Sequence, residues 1–151
     1  AALFLSVGAV MHQTGKRDIR QLGGLADRMP ITALVFLIGA MNIAGIPPTV
    51  GFISKLMIFT GAFGPGLAGS SSELILALVA LLSTAMTVGY TTWAMRRIFY
   101  GPLPEDLVEV DEASPMMIIP MVLLCLFSII LGIIPGPILD PIFALVKGVI
   151  G

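Results

Sequence analysis

Met41-Asn42-Ile43-Ala44-Gly45-Ile46-Pro47-Pro48-Thr49-Val50-Gly51-Phe52-Ile53-Ser54-Lys55-Leu56-Met57-Ile58-Phe59 decides the fold. The stretch is too apolar for the surface of a soluble domain. Its glycines and two adjacent prolines must interrupt a helix. Cut at Gly45-Ile46-Pro47-Pro48, the apolar block from Pro30 to Phe63 falls into two arms of about 15 residues, each shorter than the ~20 that cross a bilayer alone. Irregular backbone is not tolerated against lipid, so the break is expected to be buried in protein or to line a wet cavity. Lys55 lies inside the second arm. An ionisable side chain at membrane depth, beside a helix break, marks an ion pathway by default. The competing reading is a lysine that snorkels to the interface. Lys55 stands roughly 10–12 Å along the axis from either end of its arm, which favours the pathway. A lysine kept from bulk water can take and release a proton as nearby charges move. Ser54, Thr49 and carbonyls freed by the prolines could hold water beside it.

Working outward, the composition agrees with a membrane environment. The chain of 151 residues is 57% hydrophobic and 11% charged, with a mean hydropathy of +1.04. A soluble domain carries roughly 25% charged residues. Cys125 is the single cysteine, so an internal disulfide and any multi-cysteine metal site are excluded, and a buried inert thiol is expected. The sequence opens inside a short apolar run, Ala1 to Met11, with no basic region or cleavage site of a signal peptide. We expect the first helix to be a truncated one, and the chain to be the C-terminal part of a longer protein.

The pattern predicts an all-α, polytopic transmembrane bundle. Helices are expected over about 1–14, over 30–63 with a break at 45–48, over 73–100 and over 115–135, with a short terminal segment at 138–150. That last segment could finish the preceding span or lie along the interface. Charge placement bears on the number of crossings. Lys16, Arg17, Arg20 and Arg28 lie in the connection 13–29, and Arg96 and Arg97 close the third apolar block. If residues 30–63 cross once, these bases share one side and only Lys147 falls opposite. One broken span is therefore expected, with loops 13–29 and 100–114 cytoplasmic. The 100–114 connection holds Glu105, Asp106, Glu109, Asp111 and Glu112 and no base. It reads as a solvated loop or a docking surface for a soluble partner. Ser114-Pro115 reads as a cap and first-turn proline, and Asp140-Pro141 as a turn.

Other polar residues have structural and functional readings side by side. His12 ends the first helix, where it could switch charge near neutral pH or simply complement the helix dipole. Thr84, Thr87 and Thr91 share one face of the third helix, with Ser83, Tyr90 and Thr92 nearby. Packing between helices by small hydroxyl residues is at least as good a reading as lining of a water file. Arg96 and Arg97, beside Trp93, Phe99 and Tyr100, look like interfacial anchors. Glu73 complements the dipole at the start of the third helix. The candidate pathway residues are Lys55, His12, Ser54, Thr87 and Tyr90, with Gly45, Pro47 and Pro48 forming the break. No residue set suits bond chemistry, a metal, a cofactor or nucleic acid.

Several strings carry a family resemblance. They are Leu3-Phe4-Leu5-Ser6-Val7-Gly8-Ala9-Val10-Met11-His12, Arg17-Asp18-Ile19-Arg20-Gln21-Leu22-Gly23-Gly24-Leu25, Met29-Pro30-Ile31-Thr32-Ala33, Ala44-Gly45-Ile46-Pro47-Pro48 and Gly51-Phe52-Ile53-Ser54-Lys55. Over about residues 1–60 the chain resembles the proton-conducting antiporter-like subunits of respiratory complex I, Mrp-type sodium/proton antiporters and membrane-bound hydrogenases. Trp93, Arg96 and Phe99-Tyr100-Gly101 extend the likeness loosely. The resemblance implies a larger fold of inverted repeats, in which residues 30–63 match the discontinuous helix and Lys55 its functional lysine, a glutamate in some members. A further family lysine stands immediately before the residue matching Ala1. Members often follow the Lys55 position with an acid, where this chain has Leu56. His12 matches a common residue outside the family's central polar axis.

The resemblance implies proton or Na+/H+ translocation by a subunit of a redox-driven or Mrp-type complex. Redox centres would lie on partner subunits, and the setting would be a prokaryotic plasma membrane. The expected partners are other membrane subunits, the lipid bilayer and H+ or Na+. A stand-alone secondary transporter of another solute and a structural scaffold subunit remain the alternatives.

Overall fold

The computed structural model describes residues 1–63 and 71–150. Within them the chain is helical: α1 Ala2–Thr14, α2 Pro30–Ala44, α3 Val50–Phe63, α4 Ser71–Phe99, α5 Pro115–Ile133 and α6 Gly136–Ile150. The side chains of Glu73 and Lys147 lie outside the described residues. Ile75–Phe99 of α4 and all of α5 are long and apolar enough to cross a membrane. In each, only 11% of an 18-residue apolar window is buried within the chain, so most of their apolar surface faces lipid or neighbouring protein.

Glycine and proline set the helix ends. α1 stops at Gly15, whose left-handed φ of 68° lets its N–H reach the Met11 carbonyl. α2 and α5 both carry proline at the first helical position, where the missing N–H costs no helical hydrogen bond. Ser114 occupies the cap position of α5, but its side chain makes no cap hydrogen bond. The Ser114 carbonyl accepts from Met117 and Ile118 instead. Asp140-Pro141 is not a turn, because α6 runs through both residues. Only Ile134 and Pro135 separate α6 from α5.

The two polar connections fold together at one end of the bundle. Leu25 N–H and Ala26 N–H donate to the carbonyls of Ile98 and Phe99 at the end of α4. Gly23 lies so close to Pro102 that a Cβ would sit 2.2 Å from its carbonyl oxygen. The Lys16 ammonium pairs with the Asp106 carboxylate, and this neighbour holds the Asp106 carboxyl below its ordinary range. Gln13 Nε2 donates to the Glu112 carbonyl at 2.6 Å.

The acidic connection is solvated along Glu105, Asp106, Glu109 and Asp111, all exposed, while others of its residues pack onto the bundle. Leu107 and Ala113 are buried in the core with Leu22, Leu25, Met29, Phe36, Phe99 and Met121. The Glu112 carboxylate accepts from Ile31 N–H at 2.7 Å and from the Thr32 hydroxyl at 2.6 Å. It therefore caps α2 from a connection 80 residues away.

Candidate functional site at the helix break

The break between α2 and α3 is built before the prolines are reached. Gly45 takes a left-handed φ of 75°. Its N–H donates to the Asn42 carbonyl, and Ile46 N–H donates to the Met41 carbonyl at 2.9 Å. This pair of bonds is the Schellman arrangement, which ends a helix and satisfies its last carbonyls. Pro47 and Pro48 then cannot resume the helix at once. Thr49, 1% exposed, returns its hydroxyl to the Ile46 carbonyl at 2.8 Å. α3 starts at the next residue.

The arms are not stacked end to end. Asn42 Oδ1 accepts from Gly51 N–H at 2.7 Å, so a side chain of α2 caps one orphan donor of α3. A Cβ on Gly51 would lie 1.8 Å from the Asn42 carbonyl oxygen. The first turn of α3 therefore lies beside the last turn of α2. α5 closes the other side, where a Cβ on Gly132 would meet the Pro48 carbonyl oxygen at 2.0 Å. Gly51 and Gly132 are there because nothing larger fits. Sequence reasoning passed over Asn42 and Gly132, whose partners lie across the turn and on another helix.

Lys55 turns back to this break. Its Nζ donates to the Ala44 carbonyl at 2.9 Å, and its Cδ lies against Gly45. Ala44 is the last residue of α2. The ammonium thus sits at the negative end of the α2 dipole, on a carbonyl that α2 leaves open. The side chain is half-buried rather than fully buried. It does not snorkel away from the break.

The other candidates are dispersed. Ser54 is exposed and returns its hydroxyl to the Val50 carbonyl of its own helix at 3.2 Å. Thr87 does the same to Ser83 at 2.8 Å, as do Thr84 and Thr91 to Ala80 and Thr87. The α4 hydroxyl stripe is thereby satisfied within the helix, which suits close packing. Tyr90 is 57% exposed and borders an apolar cavity of about 380 Å³ between α1, α2 and α4. His12 is exposed in the last turn of α1, at the connection end of the bundle. Of the predicted set, the structure gathers only Lys55, Gly45, Pro47 and Pro48 into one place. Among the described residues no cluster of three or more His, Cys, Asp or Glu side chains could hold a metal ion.

Comparison with known proteins gives this geometry a setting. Residues 1–87 match the family described as "NADH:quinone oxidoreductase/Mrp antiporter, TM". The chain belongs to that family. The match runs through α3 and into α4, beyond the residue 1–60 strings that carry the resemblance in sequence. F(420)H(2) dehydrogenase subunit M of Methanosarcina mazei is 32% identical over 138 residues, covering 91% of this chain and 26% of the relative. The Na(+)/H(+) antiporter subunit A1 of Staphylococcus saprophyticus is 33% identical over 150 residues, covering 93% of this chain and 19% of that subunit. The membrane-bound sulfane sulfur reductase, an archaeal respiratory membrane complex, contains a chain with a TM-score of 0.74 and 31% identity. That likeness covers 85% of this chain and 20% of the other. The chain thus spans about a quarter or less of these relatives. It is a transmembrane, all-helical member of the antiporter-like family, with the helix break inside the matched region.

Proposed function

We propose that this chain forms part of a membrane subunit that translocates protons, or exchanges Na+ for H+, with Lys55 as the group that changes protonation. One observation carries the reading: the Lys55 ammonium spans the break and rests on the open carbonyl of Ala44. A charged lysine is held there by the α2 dipole as well as by the hydrogen bond, and a neutral one by the hydrogen bond alone. The strength of the link between the two arms therefore depends on the proton. Buried charges moving nearby would shift that proton and, with it, the contact that joins α3 to α2. Water reaching the break from alternate sides would complete a transport cycle.

Lys16, Arg17, Arg20, Arg28, Arg96 and Arg97 gather toward the connection end, which supports a cytoplasmic placement for loops 13–29 and 100–114. The proposed partners are other membrane subunits of a redox-driven or Mrp-type complex in a prokaryotic plasma membrane. Support comes from the relatives, which are named as subunits of a dehydrogenase and of an antiporter.

The test is ion flux in vesicles containing the full-length protein within its complex. Lys55→Ala is expected to abolish proton or Na+/H+ flux while the complex assembles. Lys55→Glu is expected to keep part of it, because a titratable group remains. Undiminished flux with Lys55→Ala, at normal assembly, refutes the assignment.

A further inference from the structure

Met121, Cys125, Ser128 and Gly132 are spaced as one helical stripe along α5. Met121 and Cys125 are buried at 0% and 4% exposure, and Gly132 touches the break through Pro48 and Thr49. Ser128 stands between them, one turn before Gly132. Its Oγ is buried and has no hydrogen-bond partner among the described residues. That is unlike Ser6, Ser54, Thr84, Thr87 and Thr91, which all return their hydroxyls to a carbonyl of their own helix. A buried hydroxyl left unpaired costs free energy, and native proteins satisfy such groups with protein or with ordered water.

Ser128 lines a small half-open cleft of about 120 Å³ between α1, α2 and α5, where Asn42 and Gly39 of α2 meet Ala1 and Ala2. Asn42 Oδ1 is committed to Gly51 N–H. That bond fixes the amide's orientation and leaves the Nδ2 donors for another acceptor. The cavity is several times larger than the ~10–15 Å³ that one water needs by the same measure, and it offers polar partners on two helices. Gly39, also on its wall, adds backbone rather than apolar bulk.

We propose that this cavity is an ordered-water site that joins Ser128 of α5 to Asn42 of α2. The water accepts from Asn42 Nδ2 and pairs with Ser128 Oγ, and so steadies the amide that caps α3 at Gly51. α5 then supplies one wall of the wet side of the break and is more than a terminal anchor. Asn42 and Ser128 act as positioning residues, because they reach Lys55 only through the first turn of α3. The transport consequence rests on the function proposed above; the hydration does not.

The experiment is a high-resolution cryo-EM map of the intact complex, paired with flux measurements on Ser128→Ala and Ser128→Val. Wild type is expected to show water density within hydrogen-bond distance of Ser128 Oγ and Asn42. Ser128→Ala leaves room for that water and is expected to keep flux within about twofold. Ser128→Val fills the space and is expected to lower flux by at least about fivefold, the scale of one lost hydrogen bond. A dry cavity in the wild-type map overturns the water site, whatever Lys55 does. Water present, with Ser128→Val conducting as well as Ser128→Ala, overturns its role at the break. Equal assembly of both variants in the membrane keeps the comparison clean.

Discussion

Removing the Glu112 carboxylate should loosen the start of α2 by an amount the structure lets one estimate. Thr32 is 0% exposed, and its hydroxyl donates to Glu112 Oε1 at 2.6 Å. The other carboxylate oxygen takes Ile31 N–H at 2.7 Å and the more distant Thr32 N–H at 3.4 Å. In Glu112→Ala the Thr32 hydroxyl loses its acceptor in a buried place, which costs about 1–3 kcal/mol. Loss of an N-terminal cap costs a further ~0.5–2 kcal/mol. A total near 2 kcal/mol is the conservative expectation, and it corresponds to a roughly 30-fold rise in local opening.

Hydrogen exchange by mass spectrometry on the full-length protein reads this directly at the Ile31 and Thr32 amides. Their exchange should accelerate by about that factor, with Glu112→Gln intermediate because one oxygen acceptor survives. Thr32→Val combined with Glu112→Ala should cost less than the sum of the two single changes, by about 1 kcal/mol, since both remove the same bond. Unchanged exchange in Glu112→Ala, or strict additivity of the pair, refutes the capping role.

The Lys16–Asp106 pair carries a pH dependence with a definite sign. The Asp106 carboxyl is lowered from its ordinary value of 3.8, mainly by the hydrogen bond from Lys16. Its contribution is therefore complete above that value and is lost as pH falls through the lower folded-state value. Asp106→Asn should remove this acid-range dependence and leave neutral-pH stability nearly unchanged, because the pair is exposed and screened by salt. Thermal unfolding of both proteins across the acid range checks it. Gly132→Ala should force α5 away from the Pro48 carbonyl and cost about 1–3 kcal/mol, as overpacking does. A lower unfolding temperature with retained membrane insertion is the expected readout, and an unchanged one would mean that α5 is free to slide.

The break was legible in the sequence because glycine and proline act locally. Gly45 needs only its own backbone freedom to end α2, and the prolines need only their missing donors. The mechanism differs from the expectation in one respect: the glycine stops the helix and the prolines merely keep it stopped. Lys55 was legible as out of place, but its partner was not. The Ala44 carbonyl is a backbone group with no signature in sequence, and it becomes available only once the Schellman turn has formed. Glu112 was read as one acid among five because its partners, Ile31 and Thr32, are brought to it by tertiary folding. Asp140-Pro141 was read as a turn, yet α6 passes through it. Pro141 lies inside α6, where it forfeits one helical hydrogen bond, and local composition alone does not reveal that a helix has already begun at Gly136.

The distribution of burial bears on the role proposed for Lys55. α2 is anchored by Thr32, Ala33, Val35, Phe36, Gly39, Ala40 and Ala44, all buried, within a core that also draws in both polar connections. Perturbing a helix held by that much apolar area takes several kcal/mol. α3 is held differently. From Val50 to Gly61 none of its side chains is fully buried within the chain. Its first turn is tied down by Asn42 on Gly51, by Lys55 on Ala44 and by the close approach of Gly132 to Pro48. A charge at a helix terminus contributes roughly 0.3–1 kcal/mol, rising to ~2 kcal/mol in partly buried geometry. Against the α2 core that is negligible; against the individual polar contacts at the start of α3 it is of the same size. In the function proposed above, the Lys55 contact would act on the α2–α3 junction, with α2 and the two connections as the platform it works against.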